Sequence, residues 1–364
     1  MEEDMKKIML AFGTRPEAIK MAPLVKAIEK DARFQAVTVV TAQHREMLDQ
    51  VLDIFEIVPD YDLDIMGKNQ TLSQITTRVI DAIDQVLVEE SPDIMLVHGD
   101  TSTTFAASIA AFYHKVILGH VEAGLRTWNK YSPFPEEMNR QVTDVLSDIY
   151  FAPTEESKQN LLKENHAADN IYVTGNTAID ALRFTVPAHL QKDRRQILVT
   201  MHRRENLGEP MENVFRAIKD ICRDYPQFEM VYPLHKNPKV REIAYRILGD
   251  LPNVRLIEPL NVVDFHRMEN ESYIILTDSG GVQEEAPSFG VPVLVLRDTT
   301  ERPEGVEAGA LKLVGTGQED VYRAIRELIE NEEVYQKMSN SQNPYGDGHA
   351  SEKILDAIDQ YLGK

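Results

Sequence analysis

The chain has 364 residues, with 39 Lys and Arg against 59 Asp and Glu, a formal net charge of −20 at pH 7. At 43% hydrophobic and 27% charged it is composed like an ordinary globular protein, and its length favours two domains, because one core rarely grows past roughly 250–300 residues. So acidic a chain is a poor candidate for sequence-independent nucleic-acid binding, which sets basic side chains against phosphates. Its single cysteine, Cys222, excludes an internal disulfide and any multi-cysteine metal site.

The N-terminus, Met1-Glu-Glu-Asp, is acidic where a signal peptide would be basic, and no apolar run approaches the ~18–20 residues that cross a bilayer. A cytoplasmic protein without membrane or nucleic-acid partners is expected. Runs rich in Val, Ile and Leu predict strands at Ile8–Phe12, Ala36–Thr41, Asp93–His98, Val116–Val121, Ile149–Ala152 and Ile171–Thr174. They lack clean alternation, as expected of strands buried on both faces. Amphipathic stretches predict helices at Ala18–Lys30, Leu72–Glu90, Thr104–His114 and Thr177–Phe184. The polar segment Val186–Arg195 reads as a boundary.

Beyond it, strands are predicted at Ile197–Met201, Glu229–Pro233, Val254–Ile257, Tyr273–Thr277, Val291–Leu296 and Leu311–Val314, with helices at Met211–Asp224 and Val321–Glu330. A final amphipathic helix, Ser351–Leu362, follows the turn-rich Asn343-Pro-Tyr-Gly-Asp-Gly. This βαβα order predicts an α/β fold of two doubly wound parallel sheets. The expected domains are 1–185 and 186–350, with 351–364 packing back on the first. Open parallel sheets take ligands beyond the C-terminal ends of their strands, so a cleft between the halves is the expected site.

Polar residues stand at those strand ends. In chain order they are Gly13-Thr-Arg-Pro-Glu, His98-Gly-Asp100, His120-Val-Glu122 and the helix start Glu136-Glu-Met-Asn-Arg140; then come His202-Arg-Arg-Glu and Thr277-Asp-Ser279-Gly280-Gly281. The Ser279 turn reads either as a plain strand-turn-helix connection or as a diphosphate cradle, where glycines let backbone approach a ligand at a helix N-terminus. Glu285 could then take ribose hydroxyls. There is neither a Walker A motif nor Gly-x-Gly-x-x-Gly, which disfavours phosphate-loop NTPases and simple dinucleotide-dependent oxidoreductases. Asp100, Glu122 and Glu136 are either caps and turn residues or an acid–base set with pKa values driven apart. His98, Asp100, His120 and Glu122 allow a rival view, a divalent metal site. His202 reads as a packing histidine or as one held near an anion by Arg203 and Arg204.

Ten blocks taken together are more specific. They are FGTRPEAIKMAPL, TAQHREML, LVHGDTSTT, GHVEAGLRT, SPFPEEMNRQ, VTGNTAIDAL, MHRRENLGEP, YPLHKNP, LTDSGGVQEEAPSFGVPVLVLRDTTERPE and NPYGDG. In order and spacing they resemble the bacterial non-hydrolysing UDP-N-acetylglucosamine 2-epimerases over essentially the whole chain. The resemblance implies two Rossmann-like domains in the glycosyltransferase-B arrangement, with the active site in the interdomain cleft. It also implies a homodimer that needs no metal or nicotinamide cofactor.

The implied reaction interconverts UDP-GlcNAc and UDP-ManNAc by eliminating UDP to 2-acetamidoglucal and adding it back, feeding cell-wall or surface polysaccharide synthesis. Asp100, Glu122, Glu136 and His202 would be catalytic. Arg15, Lys20 and Arg140 would bind substrate, with His235, Leu260 and Phe265 near the base, Ser279, Gly280 and Gly281 at the diphosphate, Glu285 at the ribose, and Arg302. A second, activating UDP-GlcNAc would touch Gln43, Glu136, Arg203 and His235. At two further positions of that site Glu46 replaces an expected Gln and Asn69 an expected Arg, and both changes disfavour an anionic effector.

Overall fold

The computed structural model describes residues 5–42, 45–67, 70–187, 195–300 and 302–363, with backbone alone at Glu46. The chain divides into two units, Met1–Phe184 with Tyr345–Lys364, and Thr185–Pro344.

The first unit holds a seven-stranded, all-parallel sheet. Its strands are β1 (Lys6–Phe12), β2 (Phe34–Val40), β3 (Tyr61–Asp62), β4 (Ile94–His98), β5 (Ile117–Val121), β6 (Ile149–Ala152) and β7 (Ile171–Val173). The order is β3-β2-β1-β4-β5-β6-β7. On β1, Ile8, Leu10 and Phe12 join a core with the helix Arg15–Ile28 and with Ile354, Leu355 and Ile358 of the helix Ala350–Leu362. Met9 and Ala11 point the other way, into a core with the helices Leu72–Glu90 and Ser102–His114. Successive side chains of one strand thus serve opposite cores, which is why the strand sequences are apolar without alternating.

The second unit repeats the plan with β8 (Gln196–Thr200), β9 (Glu229–Pro233), β10 (Val254–Ile257), β11 (Ile274–Thr277), β12 (Val293–Val295) and β13 (Leu311–Leu313), ordered β10-β9-β8-β11-β12-β13 and again all parallel. Ile197 and Val199 face one core and Leu198 the other.

Each of the twelve expected strands is present, and β3 is an addition. Two residues long and preceded by Pro59-Asp60, it carries no apolar run from which to be read. The chain re-enters the first unit at Tyr345, ahead of the expected 351. Tyr345 is buried and its carbonyl accepts from Asn176 N at 2.7 Å. Asp180 then caps the last helix, accepting from Ala350 N at 3.1 Å and Ser351 N at 2.7 Å. Of the expected boundary segment, residues 188–194 lie outside the described residues. Among the described residues no helix is long and apolar enough to cross a membrane.

In a doubly wound sheet, ligands gather where the strand order reverses. Here that is between β1 and β4 in the first unit and between β8 and β11 in the second.

Candidate functional site

In the first unit, the loops after β1, β4 and β5 meet at the switch point. Thr14 and Glu17 form a capping box at the start of the helix Arg15–Ile28, with Glu17 accepting from Gly13 N at 3.0 Å and Thr14 N at 2.7 Å. The other Glu17 oxygen reaches across to the next loop, accepting from Thr101 Oγ1 at 2.6 Å and Thr104 Oγ1 at 3.1 Å. One buried carboxylate therefore ties the loop bearing Arg15 to the loop bearing Asp100. Gly13 is required by space. A Cβ there would fall 2.7 Å from Thr103 Oγ1 and overlap Thr41 Oγ1, the two hydroxyls that hydrogen-bond each other at 2.9 Å.

Three carboxylates stand there in three electrostatic settings. Glu122 leaves β5 with φ 66°, a left-handed conformation that costs energy in a residue with a Cβ. It is ion-paired with Lys20, accepts from Asn176 Nδ2 at 3.2 Å, and has His98 Nε2 at 3.6 Å. Burial alone would raise this carboxyl, but the Lys20 ammonium and His98 outweigh it and hold it well below the usual carboxylate range. Asp100 is ion-paired with Arg140, which also lies 3.2 Å from Glu137. Glu136, at the N-terminus of the helix Glu136–Leu146, keeps a buried Oε2 with no hydrogen-bond partner.

A second layer fixes this set. His120 Nδ1 lies 2.6 Å from Asp144 Oδ1 and Nε2 lies 2.8 Å from the carbonyl of Gly99, the residue before Asp100. Asp144 also accepts from Arg126 at 2.6 Å. Burial raises the Asp144 carboxyl, and His120 and Arg126 more than reverse that. Glu137 accepts from Thr127 N at 3.0 Å and Trp128 N at 2.9 Å, shaping the loop ahead of Glu136. His120 is therefore committed to Asp144 and Gly99, and among the described residues the four groups weighed as a metal site are not gathered as one.

In the second unit, buried Asp278 organises the loop after β8. It accepts from His202 N at 3.0 Å, Arg203 N at 2.9 Å and Asn206 Nδ2 at 2.9 Å. His202 stacks on His235, with centroids 5.1 Å apart and planes at 8°. Burial pushes its imidazole down; Asp278 opposes this, and His235 and Arg203 add to it. Ser279 precedes the short helix Gly280–Glu285, and its side chain makes no capping bond. A Cβ on Gly280 would lie 3.3 Å from the Arg302 guanidinium carbon, so Arg302 lies over that turn. Arg302 Nε is bonded to Glu284 at 2.8 Å.

Leu260 lies in the loop after β10, and Phe265 packs partly buried on the core cluster around Leu198. Gln43, Asn69 and the Glu46 side chain, three of the expected effector contacts, lie outside the described residues.

The organising residues Glu17, Asp144, Glu137 and Asp278 were not expected. Thr14-x-x-Glu17 is a legible capping box. Asp144 acts on His120 and Arg126, and Glu137 on the N–H groups of Thr127 and Trp128, through chain that folds back onto them, and nothing local marks those roles.

Two Rossmann-like units, each with polar loops at its switch point, define an α/β protein of a widely used architecture, which by itself fixes no reaction. A Bacillus subtilis UDP-N-acetylglucosamine 2-epimerase is 58% identical over 359 residues, 97% of this chain and 94% of that protein. An S. aureus MnaA–UDP co-structure is 58% identical at a TM-score of 0.86, covering 99% of this chain and 97% of that one. The Neisseria meningitidis UDP-GlcNAc 2-epimerase bound to UDP-GlcNAc is 51% identical at a TM-score of 0.87, covering 97% and 100%. The sequence model for UDP-N-acetylglucosamine 2-epimerase matches residues 26–359. The chain belongs to that family of isomerases, as its motif blocks led us to expect. A glycosyltransferase 12% identical shares the fold alone, at a TM-score of 0.68.

Proposed function

We propose that this chain interconverts UDP-GlcNAc and UDP-ManNAc by eliminating UDP to 2-acetamidoglucal and re-adding it, so supplying ManNAc for a cell-wall or surface polysaccharide. The C2 proton is not beside a carbonyl, so its direct removal would leave an unstabilised carbanion. Loss of UDP from C1 as the proton leaves C2 avoids that ion and turns C2 into a planar centre. A proton returned to the opposite face, followed by re-addition of UDP, inverts C2.

The observation that carries this reading is a set of three carboxylates, Asp100 and Glu122 at the ends of neighbouring strands and Glu136 at a helix start, each held differently. Acid–base chemistry needs such division. Asp100, held by Arg140, is the proposed base. Glu136, with its buried, unpartnered oxygen, is suited to deliver a proton. Glu122, kept ionised by Lys20, serves to position the sugar and stabilise positive charge rather than to donate. In the second unit the Ser279 turn, Arg302 and His202 would hold the departing diphosphate, whose developing charge preorganised donors stabilise. Glu285 would take the ribose hydroxyls, and His235, Leu260 and Phe265 the base; Arg15 adds a further cation. We place the enzyme in the cytoplasm as a homodimer.

The test is proton NMR of the purified protein with UDP-GlcNAc in D2O and a chelator. UDP-ManNAc carrying deuterium at C2 is the expected product. Free ManNAc with UDP would make this a hydrolysing enzyme, and an unchanged substrate would leave it a glycosyltransferase or a nucleotide-sugar sensor.

A further inference from the structure

Glu285 ends the helix Gly280–Glu285, and beside it stand two side chains from one turn of the helix Val262–Glu271, His266 and Glu269. One nitrogen or oxygen from each of the three lies within 4.8 Å of the others. Glu269 is fully buried, and neither of its carboxyl oxygens meets a hydrogen-bond donor. A buried carboxylate in that state is among the costliest groups a protein can hold. His266 does not relieve it. Its Nδ1 is engaged with Thr185 Oγ1 at 2.8 Å, and its Nε2 stands 3.6 Å from Glu285 Oε2, beyond hydrogen-bond range.

A carboxyl among acceptors is satisfied by carrying its own hydrogen or by a cation. The hydrogen requires nothing else. A cation held by three groups would need further ligands, and here both His266 and Glu269 are closed to solvent. Burial and the neighbouring Glu285 both push the Glu269 carboxyl well above its ordinary range.

We propose that Glu269 is a positioning residue for nucleotide binding. As a carboxylic acid it donates its hydrogen to the Glu285 carboxylate, fixing that side chain so that its other oxygen accepts from the vicinal hydroxyls of a ribose. The proposal rests on the reading of Glu285 as the ribose residue. It explains why a buried acid with no donor of its own sits beside that residue.

The experiment titrates UDP and 2′,3′-dideoxy-UDP into the wild-type protein, Glu269→Gln, Glu269→Leu and Glu285→Gln. A glutamine amide can still donate to Glu285, so Glu269→Gln should keep UDP affinity within about threefold. Leucine fills similar space without a donor, so Glu269→Leu should bind UDP about tenfold more weakly, with dideoxy-UDP affinity unchanged. Equal losses for the two nucleotides, or a glutamine variant as weak as the leucine one, would overturn the positioning role. One equivalent of a divalent ion in the purified protein, lost on Glu269→Gln, would overturn it in favour of a metal site. The underlying reading fails separately: if Glu285→Gln leaves the preference for UDP over dideoxy-UDP intact, Glu285 does not bind the ribose.

Discussion

Glu122 is the residue whose setting constrains the chemistry most. Its carboxyl is buried, which favours the neutral form, yet Lys20 and His98 keep it ionised. A depressed carboxyl protonates only as pH falls through its lowered value. In the wild type, Glu122 should therefore cause no loss of kcat down to about pH 5. Lys20→Gln leaves burial unopposed by that ammonium, so the acid limb of the pH–rate profile should move to higher pH; an unmoved limb would contradict the pairing's role. Asp100→Asn keeps the shape and removes the proposed base, and should lower kcat at least about 10²-fold while UDP still binds. Near-normal turnover would remove Asp100 from the mechanism. The strand-end residues could be singled out in the sequence because each follows an apolar run directly. Glu137 and Asp278 stand in the same polar runs, but their roles were hidden, because they act on backbone N–H groups of loops whose approach only the folded chain creates.

At the scale of elements, parallel strands are easy to read because both faces are buried and the run is continuously apolar. Met9-Leu10-Ala11 or Ile197-Leu198-Val199 admits little else. What such runs hide is closure. The helix Ala350–Leu362 is legible as amphipathic, but its partner Asp180 and the earlier return at Tyr345 follow from tertiary hydrogen bonds. Asp180→Ala strips two N–H groups of their acceptor at that helix start. It should destabilise the protein by about 1–2 kcal/mol and speed amide exchange selectively over residues 350–353. Uniform protection there would mean the cap is dispensable. Glu17 works similarly between two loops, and its capping-box half was legible while its reach to Thr101 and Thr104 was not.

At the scale of the molecule, one sheet plan is used twice with different chemistry at its switch points. The first unit places carboxylates there, and the second a glycine turn under an arginine. A net charge of −20 works against an anionic substrate, and the cations Lys20, Arg140 and Arg302 are each braced by a carboxylate. Affinity for a nucleotide sugar must then come from local geometry rather than from the overall field. Elimination and re-addition require the bond between C1 and the diphosphate to break at every turnover. UDP-GlcNAc carrying ¹⁸O in that bridging position reports it directly, read by ³¹P NMR of the recovered substrate. Scrambling of the label into the non-bridging β-phosphate oxygens, at a rate comparable to epimerisation, is the predicted result. A label that stays in the bridge while C2 epimerises would show that UDP never departs, and would contradict the mechanism.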